Sequence, residues 1–160
     1  MDKNAEYAVR NIISLVNVCP DVKFFATKSM LEKIENYLES NQQRMGYKKA
    51  LMKTSERWMP VPRGLVNVLT NLAFKDPVLR KSSFQATRTS VHHLITLKKK
   101  NREEHKALLE IVKNLKIDND LLEKLNIPER ERKILANNRE ELNQALRELR
   151  KLLECVVKNL

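Results

Sequence analysis

Apolar residues recur along this chain at helical spacing. Val9, Ile12, Ile13 and Val16 fall at i, i+3, i+4 and i+7, and Leu108, Ile111, Val112 and Leu115 repeat the pattern. Leu65, Leu69 and Leu72 share one face, as do Val91, Leu94 and Ile95. Such periods put an apolar stripe on one side of an α-helix. Period-two alternation is missing, so no strand is expected. Start signals agree with the periodicity. Ser29 with Glu32, Asn101 with Glu104 and Asn138 with Glu141 each set a short polar residue three before a glutamate. The first can accept from an orphan N–H, and the second can reach back. Asp76-Pro77 and Ile127-Pro128 place proline at the start of a helix, where its missing N–H costs nothing. Cys19-Pro20 ends the first helix, because the residue before proline is pushed out of the α region. The predicted helices span 4–18, 21–27, 29–39, 42–59, 63–74, 77–82, 84–98, 102–116, 119–125, 128–136 and 139–159.

The last of these carries a heptad seam. Leu142, Leu146, Leu149, Leu153, Val156 and Leu160 step by 4, 3, 4, 3 and 4, and Ala145 and Leu152 widen the stripe. Such a seam serves the domain's own core, or it pairs with a second copy or a partner helix. Residues 1–160 read as a single helical domain. The stiff Met59-Pro60-Val61-Pro62 joint marks a candidate internal boundary at 59–63.

Composition narrows the function. The chain is 42% hydrophobic and 32% charged, the mixture of a folded domain with a highly charged surface. Gly46 and Gly64 are its two glycines, too few for a phosphate-cradling loop or a dinucleotide turn. The first residues are charged and lack the apolar stretch of a signal peptide. No apolar run approaches the roughly 20 residues of a membrane span. Cys19 and Cys155 belong to no C-x-x-C motif and read as two reduced core thiols. Together these features lead us to expect a chain without membrane association in a reducing intracellular compartment, nucleus or cytoplasm.

The net charge of +11 is concentrated in the middle third. Residues 41–102 carry 14 basic and 2 acidic groups, whereas 1–40 carry 5 and 6, and 103–160 carry 12 of each. A local excess of this kind is a candidate footprint for an anionic partner.

Catalytic chemistry finds little support. His92 and His93 diverge by about 100° on a helix, so they do not easily share a metal. Neither has a Cys, Asp or Glu at i+3 or i+4. A serine nucleophile needs an oriented base and usually a strand-to-helix elbow, for which no strand is expected. The pairs Glu103-Glu104 and Glu140-Glu141 fall at predicted helix N-termini, where the helix dipole accounts for them. We expect no enzyme, no cofactor, no catalytic residue and no metal site.

One motif recurs three times. Val16-Asn17-Val18 leads to Pro20-Asp21, Thr70-Asn71-Leu72 to Asp76-Pro77, and Lys113-Asn114-Leu115 to Asp118. The asparagines stand 54 and 43 residues apart, and the second spacing falls within the ~40–47 range of helical repeats. The chain thus resembles armadillo and HEAT repeats. That resemblance implies an all-α fold of short helices and helical hairpins, stacked as a right-handed armadillo-like array with a long C-terminal helix. It also implies that Asn17, Asn71 and Asn114 lie on a groove. Repeat spacing is irregular, and the glycine usual between such helices is missing. Residues 8–60 and 105–157 each also resemble the helical N-terminal domain of transcription elongation factor S and its relatives. The first copy carries Leu31-x-x-Ile34-x-x-x-Leu38 and a closing Arg57-Trp58. In the second, Cys155-Val156 replaces the closing aromatic, and Ile127-Pro128 stands in place of Ile-Gly.

Two functions of different class follow. The first is a non-catalytic adaptor or scaffold that receives a peptide or helix, an acidic one by charge. Its candidate contacts are Asn71, Lys75, Arg80 and Lys81 along one edge. Leu146, Leu149 and Leu153 of the seam are added, the last helix also offering self-association. The alternative is a transcription-related, nucleic-acid-binding domain using the basic middle third. Its anion contacts would be Arg44, Lys48, Lys49 and Lys53, with Tyr47 and Trp58 nearby, and Lys98, Lys99, Lys100 and Arg102. The run 98–102 also has the character of a nuclear-import signal.

Overall fold

The computed structural model describes residues 3–40, 49, 58–81 and 102–159. Helix α1 (Lys3–Val18) stops ahead of Cys19-Pro20, as expected. A turn then leads into a strand, β1 (Phe24–Ala26), followed by α2 (Lys28–Ser40). Strand β2 (Trp58–Pro60) pairs in parallel with β1, setting Phe24 against Trp58 and Ala26 against Pro60. Next come α3 (Arg63–Ala73) and the short α4 (Pro77–Lys81). The C-terminal part is α5 (Arg102–Lys113), α6 (Asn119–Lys124), α7 (Glu129–Asn137) and the long α8 (Arg139–Asn159). Among the described residues the fold is all-α apart from the strand pair. The prediction for 84–98 lies outside the described residues.

The strand pair corrects two helix predictions. Phe24, Phe25 and Ala26 are all buried, at 1%, 2% and 0% exposure. Three consecutive side chains on a helix fan out over about 200°, so a half-buried helix cannot hide them all. An extended segment buried on both faces can. At the other strand, Met59 and Val61 each precede a proline, which drives them out of the α region and ends the helix predicted to reach residue 59. Pro60 has no N–H to give and closes its strand, while the Val61 N–H donates to the Ala26 carbonyl at 3.2 Å.

Helix α8 organises the main core. It packs most extensively on α5 and also touches α1, α3, α7 and β1. Leu146, Leu149, Leu152 and Leu153 are at most 1% exposed. Core residues on both sides of the 59–63 joint, from Leu15 to Leu69 and Val156, belong to one cluster. A second, smaller core joins Ala5 and Val9 of α1 to Ile34 and Tyr37 of α2, with Trp58 packed against it. Trp58, expected to close a helix in the elongation-factor resemblance, instead opens β2.

Cys19 and Cys155 form a disulfide with Cα atoms 6.0 Å apart. This overturns the reading of two reduced thiols. The contact of α1 with α8 juxtaposes residues 136 apart in sequence, which motif spacing cannot reveal.

Local signals hold unevenly. Asp76 caps α4, its Oδ1 accepting from the N–H of Val78 (2.9 Å) and of Leu79 (3.2 Å). Asp118 caps α6 through the Leu121 N–H at 2.9 Å. Helix α2 begins before Ser29, with the Leu31 N–H on the Thr27 carbonyl. The Asn138 side chain closes α7 by donating to the Ile134 carbonyl at 2.9 Å. Pro128 sits at the N-cap of α7 with φ −59° and ψ 148°, one residue earlier than expected. At Gly64, α3 comes so close to α7 that an added Cβ would lie 2.5 Å from Leu135 Cδ2.

Candidate protein-binding corner

The corner between α3 and α4 exposes apolar and cationic side chains together. Helix α3 ends at Ala73, and the chain turns tightly: the Phe74 N–H reaches the Thr70 carbonyl, Lys75 that of Leu72 and Asp76 that of Ala73, at 3.0–3.1 Å. Asp76 then starts α4, with Pro77 at its first position. Leu79 is fully buried and anchors α4, which packs on α5. With Leu79 turned inward, its neighbours face out. Phe74 is 61% exposed and Val78 44% exposed. Lys75, Pro77 and Arg80 are exposed beside them.

The charge balance of this corner is one-sided. Asp76 is the one carboxylate between residues 74 and 80, and its Oδ1 is committed to capping backbone N–H groups. Lys75 and Arg80 form no ion pair among the described residues. Single exposed apolar residues are ordinary on protein surfaces. Here two of the four large exposed hydrophobics among the described residues share one turn, flanked by cations.

The sequence-predicted site residues divide into three groups. Lys75 and Arg80 stand at this corner, and the Lys81 backbone closes α4. Asn71 lies half-buried on α3, its side-chain Nδ2 donating to the Asn67 carbonyl of its own helix at 2.9 Å. Leu146, Leu149 and Leu153, expected to contact a partner, are instead sealed in the chain's own core at 1%, 0% and 0% exposure. The same burial removes them as a self-association surface. The reason is packing: α5, α1 and α3 already occupy the seam's face.

Of the anion-contact residues, Lys49 and Arg102 are exposed, Arg102 at the first position of α5. Arg44, Lys48, Lys53, Lys98, Lys99 and Lys100 lie outside the described residues. Trp58, the sole tryptophan and near them in sequence, packs against the smaller core, in keeping with its place beside Met59. Asn17 and Asn114 are exposed.

Sequence reasoning missed Phe74 and Val78. Their signal was present, since both fall off the Leu65, Leu69 and Leu72 stripe and beside a cap. Periodicity ranks apolar residues by face and assigns no role to those off the stripe.

Among the described residues no three His, Cys, Asp or Glu side chains group as metal ligands. His105 is buried at 1% exposure. Glu104 is buried as well, at 4%, and its Oε2 has no hydrogen-bond partner among the described residues. No described helix is long and apolar enough to cross a membrane. The chain matches no family model, no curated protein and no solved structure.

Proposed function

We propose that this chain is a non-catalytic helical adaptor that binds an acidic peptide or helix at the α3–α4 corner. The observation that carries this reading is the joint exposure of Phe74 and Val78 with Lys75 and Arg80 in the same short segment. Burying an apolar side chain of this size contributes roughly 1.5–3 kcal/mol. An aromatic anchor ringed by polar groups is the usual form of a binding hot spot. Lys75 and Arg80 favour carboxylates on the partner and speed its encounter. The chain's excess of basic over acidic groups acts in the same direction. Helix α1 packs on α2 and α6 on α7 as helical hairpins, whereas α8 also contacts α1, α3 and α5, long-range contacts that a linear repeat array does not make.

Selection of a random peptide library on the whole chain tests the proposal. Enriched peptides are expected to combine Asp or Glu with Leu, Phe or Trp. Phe74→Ala is expected to weaken their binding roughly tenfold or more while the melting temperature holds. Enriched peptides that bind the Phe74→Ala and Val78→Ser variants as tightly as the parent would sink the assignment of the corner.

A further inference from the structure

Residues 103–160 have no net charge, yet the fold sorts their charges unevenly. The C-terminal end of α5 and the outer side of α8 enclose an open cleft of about 300 Å³. Lys113, Asn114 and Lys116 line one wall, and Asn143, Arg147 and Arg150 line the other. Four of these side chains are cationic, and no carboxylate is among the described lining residues.

The cations are weakly committed elsewhere. Lys113 meets Glu110 at 3.9 Å, but both groups are largely exposed, and such pairs contribute little. Lys116 has no ion pair among the described residues. Arg147 donates to the neutral Gln144 amide, which leaves its charge uncompensated. Half-buried Arg150 gives one Nη2 bond to the Val112 carbonyl at 3.3 Å, and its buried Nε meets no hydrogen-bond partner among the described residues. A buried donor left unmet is costly and calls for an acceptor. The walls are held in place independently of any ligand. Asn143 accepts from the Ile117 N–H at 2.8 Å and donates to the Ile117 carbonyl at 3.1 Å.

We propose that this cleft binds a small anion carrying adjacent phosphates, an oligophosphate group. Four like charges around one cleft match a multiply charged ligand better than a single carboxylate. Two arginines on one helix face, three residues apart, offer planar donor forks suited to phosphate oxygens. The cleft's described lining holds no aromatic ring on which a base could stack, so recognition rests on the phosphates themselves. Its volume lies at the lower end for small-molecule sites and excludes a duplex. None of its lining residues belongs to α3 or α4, so this site is separate from the peptide-binding corner.

Calorimetric titration of the whole chain with inorganic triphosphate at about 50 mM salt tests the proposal, with ATP, inorganic monophosphate and single-stranded RNA in parallel. Saturable one-to-one binding of triphosphate is expected, much weaker binding of monophosphate, and no advantage of ATP over triphosphate. The double variant Lys116→Gln, Arg147→Gln alters two exposed side chains and is expected to weaken triphosphate roughly tenfold or more, with melting unchanged. Lys133→Gln, an exposed charge on α7, serves as the control and is expected to leave binding intact. Equal loss in the control would mean diffuse attraction and overturn the site. So would absence of saturable triphosphate binding up to about 1 mM, or binding confined to ATP or to RNA.

Discussion

Reduction of the Cys19–Cys155 bridge is the perturbation whose effect follows most directly from the structure. The bridge closes a loop across 136 positions of sequence, nearly the whole chain. A cross-link removes conformational freedom from the unfolded chain, and the effect grows with the logarithm of loop length. For a loop this long the chain-entropy relation gives about 5 kcal/mol at 25 °C, which is a ceiling because measured bridges usually give roughly 2–4 kcal/mol. Domains of this kind are stable by only about 5–15 kcal/mol, so the loss is a large fraction of the whole. Cys19 is 1% exposed and α8 already contacts α1, so the native packing is expected to persist after reduction. The assay is urea unfolding of the whole chain with and without reductant, followed by circular dichroism. The midpoint is expected to fall by roughly 1–2 M, given slopes of about 1–3 kcal/mol/M. Working with the unmutated chain avoids the cavity that Cys19→Ala would open in the core. An unmoved midpoint, or alkylation of both thiols before any reductant is added, would refute the reasoning.

Three further outcomes are expected. Leu149→Ala removes a fully buried side chain between α8 and its neighbours and should lower unfolding free energy by roughly 2–5 kcal/mol. A change in sedimentation mass without that loss would restore the seam as an association surface. Asn143→Ala deprives the Ile117 N–H and carbonyl of their partner, and about 1–3 kcal/mol should be lost in urea titration. Asn143→Asp keeps only the acceptor and should recover part of that loss; full recovery would show that the carbonyl bond contributes nothing. Asp76→Ala uncaps α4 and should lower stability by about 1 kcal/mol. Faster amide exchange at Val78 and Leu79 would localise the effect, and unchanged exchange there would argue against the cap.

Most helices were legible in the chain itself. Helices 63–73, 77–81, 119–124 and 139–159 begin and end within a residue or two of their predicted bounds. Apolar periodicity, Asp76-Pro77 and Cys19-Pro20 act within a few residues, and such local preferences survive folding. Of the residues at the α3–α4 corner, Lys75 and Arg80 were placed on one edge with Asn71 and Lys81 from the sequence, whereas Phe74 and Val78 were given no role. The sorted cleft was invisible to a charge count, because acids and bases balance over 103–160.

What the sequence determined by itself was therefore the helical class, many element boundaries and the place of its excess charge. Tertiary structure alone decided which faces are consumed. It turned the heptad seam of α8 inward, converted 24–26 and 58–60 into a parallel pair, and joined Cys19 to Cys155. It also gathered Lys113, Lys116, Arg147 and Arg150 around one cleft. The physical reason is common to all four. Periodicity states that a stripe or a charge exists, whereas its partner is chosen by contacts between residues distant in sequence, and no local pattern carries that information.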